Sequence, residues 1–195
     1  MASLITPLIS QDISHLEIGN GRLSKVITKD NQSFPLNLAV LSFKEQNKKG
    51  VPTSVVKFDI KVDSTFTACY KVIVRFFNPS RDTVRLSNVV PFGESQNRVY
   101  ITGLGDHSLS RTHLFVPGKK PVNVIVPDNA WELGYGSVKL SNDLSMYGLT
   151  RRDVPSIRNG ARRRFETILY PGGSVVYNFY AELYEGVWQN GLRKA

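Results

Sequence analysis

Apolar and polar residues alternate with a period of two along most of the chain. HLEIG (His15 to Gly19) and RLSKVITKD (Arg22 to Asp30) flank Gly19-Asn20-Gly21. An Asn-Gly pair tolerates the positive φ of a tight reversal, so this stretch predicts a β-hairpin. PLNLAVLSFKEQ and SVVKFDIKVDS lie on either side of NKKGVP, where Gly50 is placed to absorb the turn, and predict a second hairpin. TACYKVIVRFFN leads through Pro79, Ser80, Arg81 and Asp82 into TVRLSNVV, a third pair. RVYITGLG, THLFV and VNVIV follow as short strands. RRRFETILY and SVVYNFYAELYEG then face each other across Pro171-Gly172-Gly173, a favoured reversal.

Roughly ten short strands separated by turn signals, with no helical stripe, predict an all-β protein. The expected architecture is one antiparallel β-sandwich, of supersandwich or jelly-roll type, spanning residues 1–195 as a single domain. Residues 134–160 break the alternation with Ser141, Asn142, Asp143, Gly148, Pro155, Asn159 and Gly160, and are expected to form an irregular excursion over the sandwich. No repeat or low-complexity tract interrupts the pattern.

Composition narrows the class. A 41% hydrophobic and 21% charged composition is that of a globular domain. No apolar run reaches the roughly 18 residues of a membrane span. The opening MASLITPLISQD lacks a basic segment and its apolar run is broken by Pro7, so it does not read as a secretory signal. The protein is then cytoplasmic, or extracytoplasmic if a signal has been removed. Cys69, in FTACYKVIVRFF, is expected in the core and has no second cysteine to pair with. The net charge of +9 is concentrated late, at Arg151, Arg152, Arg158, Arg162, Arg163, Arg164, Arg193 and Lys194. The six arginines from Arg151 to Arg164 form a candidate basic patch for phosphates or an acidic chain. A basic strand edge is more commonly a solubility device, so nucleic acid is not the favoured partner.

Catalytic signatures are missing from the pattern. No G-x-S-x-G elbow occurs, and GLGDHS precedes a strand where a dinucleotide motif needs a helix. His107 and His113, six residues apart beside Asp106, do not match metal-ligand spacing, so hydrogen-bonded loop histidines are the reading and neither a metal nor a cofactor is expected. Binding is the better prospect. GLGDHSLSRTHLFVPGKK and PDNAWELGYG each follow a strand, and if adjacent they bring Asp106, His107, Arg111, Asp128, Asn129, Trp131 and Glu132 to one rim. Flat aromatic rings stack on the apolar faces of sugars while carboxylate and amide oxygens accept hydroxyl hydrogen bonds, so the mixture suits a carbohydrate. The same residues also suit a packed turn, with Trp131 as a core plug and Asp128 and Asn129 as caps.

The run VRLSNVVPFGESQNRVYITGLGDHSLSRTHLFVPGKKPVNVIVPDNAWELGYGSV and the later RRRFETILYPGGSVVYNFYAELYEGVWQNGL resemble a known domain over roughly Val84 to Leu192. They are similar to the N-terminal β-sandwich that precedes the barrel catalytic domain in glycoside hydrolases of the α-galactosidase-like clan, including Bacteroidetes proteins labelled "enterotoxin". The resemblance implies a non-catalytic accessory domain that packs on a catalytic barrel and lends a loop to its sugar pocket. The nucleophile and acid/base would lie in that barrel, and WQNGL (Trp188 to Leu192) would be the linker towards it. Glycoside hydrolysis requires two facing carboxylates, and nothing in these 195 residues positions such a pair. A second class fits composition equally: a viral or phage structural sandwich, capsid or decoration subunit, that self-assembles as a homo-oligomer and turns TRRDVPSIRNGARRR towards an acidic neighbour.

Overall fold

The computed structural model describes residues 12–92, 99–103, 111–115, 122–125, 133–152, 162–163 and 166–194. In chain order the strands are β1 (Ile13–Gly19), β2 (Arg22–Thr28), β3 (Ser33–Asn47), β4 (Lys57–Val62), β5 (Tyr70–Phe77), β6 (Val84–Phe92) and β7 (Val99–Gly103). They continue with β8 (Arg111–Phe115), β9 (Val122–Ile125), β10 (Leu133–Lys139), β11 (Leu144–Arg152), β12 (Arg162–Arg163), β13 (Glu166–Leu169) and β14 (Ser174–Glu185), and a short helix α1 (Trp188–Lys194) follows. They form two antiparallel sheets. The first has the order β1-β2-β3-β6-β13-β12 and the second β4-β5-β14-β11-β10-β7-β8-β9. The all-β, antiparallel sandwich expected from the alternation is the observed architecture.

The alternation becomes strands because each sheet buries one face against the other. On β14 the inward positions are Val175, Tyr177, Phe179, Ala181 and Leu183, and all are buried in the core. On β2 the phase is adjusted locally. Leu23 points inward, strict alternation would bury Lys25 next, and a bulge between Leu23 and Lys25 shifts the register so that Val26 and Thr28 turn inward instead. Rings join the sheets: Phe43 of β3 packs edge-on against Phe76 of β5 at 5.0 Å between centroids, and Phe92 of β6 against Phe179 at 5.6 Å. Close approach depends on Gly148, since a Cβ there would sit 2.7 Å from both the Phe179 and Phe92 rings.

The hairpin across Asn20 and Gly21 forms as expected, with φ of 51° and 73° at the two central residues. The other three expected pairs do not. β3 lies in the first sheet and β4 in the second, β5 in the second and β6 in the first, β13 in the first and β14 in the second. Each connection therefore carries the chain across the sandwich, although NKKGVP first reverses as expected: Gly50 has a φ of 81°, Gln46 bridges Pro52, and the crossing to β4 comes only after Thr53. Two of these connections, the β5–β6 and β13–β14 arches, are tied together by one side chain. Asn78 is fully buried; its Nδ2 donates to the carbonyls of Asp82 (2.7 Å), Leu169 (3.0 Å) and Tyr170 (3.2 Å), and its Oδ1 accepts from Ser80 N–H (3.0 Å) and Oγ (2.7 Å).

Within 134–160, the expected irregular excursion is replaced through residue 152 by β10 and β11. Leu144 to Gly148 are buried without a break, because one face of β11 meets the core while Ser145 and Tyr147 are covered on the other. A strand buried on both faces loses the alternation that would announce it. Residues 153–161 lie outside the described residues. WQNGL begins α1, which packs on β14 and β11; Lys194 Nζ donates to the Leu183 carbonyl (2.9 Å) and pairs with Glu182 (3.1 Å). Cys69 precedes β5 and is half-buried rather than in the core; burial, and then the Glu182 charge, raise its thiol pKa. Close by, Asp63 accepts from the Thr65 hydroxyl and pairs with Lys71, whose ammonium lies 5.2 Å from the Phe66 ring centre, and these contacts hold the Asp63 carboxyl down to about 2.

Candidate functional site

Strand register fixes where the polar segments leave the second sheet. Gly103, at the end of β7, is opposite Thr112 of β8, and Thr102 is opposite Gly134 of β10. Arg111 opens β8 opposite Ile125, the last residue of β9, and Leu133 opens β10 opposite Arg151 of β11. The strand ends that bracket residues 104–110 and 126–132, and the end that leads into 153–161, therefore share one end of the sheet. Asp106, His107, Asp128, Asn129, Trp131 and Glu132 lie outside the described residues, as do Arg158 and Arg164. Arg111 is placed as a strand position, and Arg162 and Arg163 as the two-residue edge strand β12.

Arg151 and Arg152, the two arginines of the basic patch whose side chains are described, do not share a surface. Arg151 is exposed, whereas Arg152, the next residue on the strand, turns inward and its Nη1 donates to Thr167 Oγ1 of β13 at 2.7 Å. Thr167 in turn hydrogen-bonds the Tyr177 hydroxyl of β14 at 2.8 Å. Arg152 is a tie between the sheets. Alternation along a strand separates any two adjacent charges in this way, which a count of arginines does not register.

A second region is fully described and was not apparent from sequence. β1 ends the first sheet and β4 ends the second, on the same side of the sandwich, and between them runs a groove of about 950 Å³. Its apolar wall is the inner face of β4, Phe58, Ile60 and Val62; its other wall comes from His15 to Gly21 and Ser24. Gly21 lets the Phe58 ring lie directly on the β1–β2 turn, since a Cβ there would be 2.6 Å from the ring. Phe58 also meets Phe43 edge-on at 6.3 Å. The polar wall is internally braced: Ser24 Oγ donates to the Glu17 carbonyl (3.1 Å) and Lys25 pairs with the Glu17 carboxylate (2.8 Å).

The sequence matches no family model, and no curated protein or solved structure is detectably similar to it.

The apolar side chains left in water cluster along β4 and its connections, and two of them, Phe58 and Val62, line the groove. Of the eight large hydrophobics that are exposed among the described residues, Val51, Val55, Phe58, Val62 and Phe66 all fall on β4 or its flanking connections. Alternation in KFDIKV announces an apolar face, but whether anything lies across that face is decided by where the opposite sheet ends. Among the described residues no group of three His, Cys, Asp or Glu side chains is arranged to hold a metal ion, and no helix is long and apolar enough to cross a membrane. What the groove offers chemically is apolar contact floored by an aromatic ring, next to two strands that are the sheet edges among the described residues.

Proposed function

We propose that the chain is a non-catalytic β-sandwich module, the accessory domain of a carbohydrate-active enzyme, which packs on a catalytic barrel and adds a polar rim to its sugar site. The observation that carries this reading is the open groove between β1 and β4, where Phe58 and Val62 are 42% and 50% exposed. Covering a large apolar side chain contributes about 1.5 to 3 kcal/mol when burial is complete, so a groove of this composition favours a partner surface over water. The rim is supported by the register of β7 to β11, which starts the two candidate sugar loops from one end of one sheet.

Ser24 lines the groove from β2, away from β4, and is exposed, so Ser24→Arg blocks docking with little effect on the sandwich. In the polypeptide that carries both sandwich and barrel, this variant is expected to speed proteolytic cleavage of the segment after α1 about tenfold, with the sandwich melting unchanged. Unaltered protection would overturn packing through the groove, and a stop codon directly after Ala195 would overturn the covalent arrangement.

For the rim, Trp131→Ala is expected to weaken binding of a galactoside-containing oligosaccharide by about tenfold, the worth of one stacked ring, while the melting temperature holds. Titration calorimetry alongside thermal unfolding separates the outcomes. Loss of the fold itself would make Trp131 a core plug and remove the centre of the rim.

A second reading, a self-assembling sandwich subunit, draws support from the order of charges along β4. Lys57, Asp59 and Lys61 alternate in sign on its outer face.

A further inference from the structure

The edge of β4 away from β5, unpaired among the described residues, runs Lys57, Phe58, Asp59, Ile60, Lys61, Val62, with Asp63 directly after it. Laid antiparallel on a reversed copy of itself and centred on Ile60, this stretch sets Lys57 against Asp63, Phe58 against Val62 and Asp59 against Lys61. Asp59 then meets Lys61 twice and every apolar residue meets an apolar one, while Lys57 faces Asp63, whose carboxylate already pairs with Lys71 at 3.0 Å. The backbone agrees with that register. Asp63 N–H donates to the Lys71 carbonyl of the β5 side at 3.1 Å. By alternation the backbone groups of Lys57, Asp59 and Lys61 also face β5, and those of Phe58, Ile60 and Val62 face the edge away from it. Ile60 with Ile60, and Phe58 with Val62, are thus the pairs able to exchange hydrogen bonds, and Asp59 with Lys61 falls at the more closely spaced non-bonded positions where side chains meet best.

We infer that two copies of this chain associate through β4, antiparallel about Ile60, joining their second sheets into one. Slipping the register by two residues places Asp59 against Asp59 and Lys57 against Lys61 in one direction, or Lys61 against Lys61 and Asp59 against Asp63 in the other. Like charges directly opposite are destabilising, so the charge order disfavours both of these neighbouring registers. Lysines on an edge strand ordinarily deter such pairing; Asp59 between Lys57 and Lys61 converts the deterrent into a match with a reversed copy. All three are exposed, and none enters a salt bridge among the described residues. The resulting twofold axis stands perpendicular to the sheet, which gives a closed dimer. It also sets the two grooves side by side with the inner faces of both β4 strands as a common floor, still open to a further partner, so the inference holds whichever partner the groove accepts.

Paired charge reversals read the register directly. Sedimentation at low salt is expected to show a wild-type dimer that weakens as salt rises. Asp59→Lys and Lys61→Asp should each weaken self-association at least about tenfold, because twofold symmetry makes every reversal act twice. Mixed together, the two variants should form a heterodimer about as stable as the wild type. The introduced lysine of one then faces the introduced aspartate of the other, and the first variant's unchanged Lys61 faces the second's unchanged Asp59. A wild-type monomer at concentrations up to about 1 mM would overturn the inference. A dimer indifferent to both reversals, or variants that fail to recover on mixing, would overturn it equally.

Discussion

Asn78→Ala is expected to lower unfolding free energy by roughly 3 to 5 kcal/mol, read as a shift of the urea midpoint with an unchanged slope. The side chain is inaccessible to water and bonds to both the β5–β6 and the β13–β14 arch, while its own backbone N–H and C=O pair with Gly173 O (3.0 Å) and Gly172 N–H (2.9 Å). Alanine leaves the Asp82, Leu169 and Tyr170 carbonyls without this donor and Ser80 N–H without this acceptor. Five bonds, each worth about 0.5 to 1.5 kcal/mol net, are lost together, and the loss falls hardest at the buried Leu169 carbonyl, since the Tyr170 carbonyl keeps Gly173 N–H (2.8 Å) and the Asp82 carbonyl keeps Ser80 Oγ (3.0 Å). Asn78→Asp is the informative companion. It keeps an acceptor for Ser80 but turns carboxylate oxygens towards three carbonyl oxygens, so at neutral pH it should be at least as destabilising as alanine. A loss below about 1 kcal/mol for alanine, or a tolerated aspartate, would show that the arches hold each other by backbone contacts alone.

The second large effect is expected at Glu45, a carboxylate only 9% exposed near the end of β3. Its Oε1 accepts from Thr53 Oγ1 (2.7 Å) and Val55 N–H (2.8 Å), and its Oε2 from Val56 N–H (3.2 Å), so one side chain fixes the crossing from β3 to β4. Charge-assisted bonds are roughly twice as strong as neutral ones. Glu45→Ala should therefore cost about 2 to 4 kcal/mol. The loss should be uneven: amide hydrogen exchange at Val55, Val56 and along β4 should rise well before that of β14, because the substitution frees an edge strand and leaves the central one in place. Uniform acceleration across both sheets would show that the crossing is no more than a share of the global fold. Glu45→Gln tests the charge, since it keeps an oxygen but presents an NH₂ group to backbone donors.

What could be read from the residues divides along a physical line. Gly19-Asn20-Gly21 announced a hairpin because the positive φ at its two central residues is a local property. The stretches PSRD and PGG have similar turn chemistry yet belong to arches, and NKKGVP reverses the chain only as far as the Gln46–Pro52 bridge before it crosses to β4. Whether a reversing chain pairs with the strand it has left or crosses to the other sheet is decided by what β5, β6 and β13 find many residues away. β11 was hidden because burial on both faces erases alternation. Asn78, in NPSRD, reads as an ordinary turn residue, and only the convergence of two arches makes it a fastener. The groove was equally invisible, since KFDIKV shows an apolar face without showing that the facing sheet stops short of it. The strands that bracket the two polar loops share one end of the second sheet, and the loops and the side chains proposed for the rim lie outside the described residues.

β14 lies between β5 and β11, taking its register from residues about a hundred positions upstream on one side, Ser174 opposite Phe77, and from Arg152 opposite Tyr177 on the other. During synthesis the second sheet thus waits for the last of its described strands. Until residues 174–185 leave the ribosome, β5 and β11 each present an open edge, and β4 with β5 is cut off from the strands that carry the polar loops. Such late, long-range closure slows folding and prolongs the exposure of unpaired edges to neighbouring nascent chains. The central position of β14 thus leaves the growing chain with more open strand edges than the finished sheets retain.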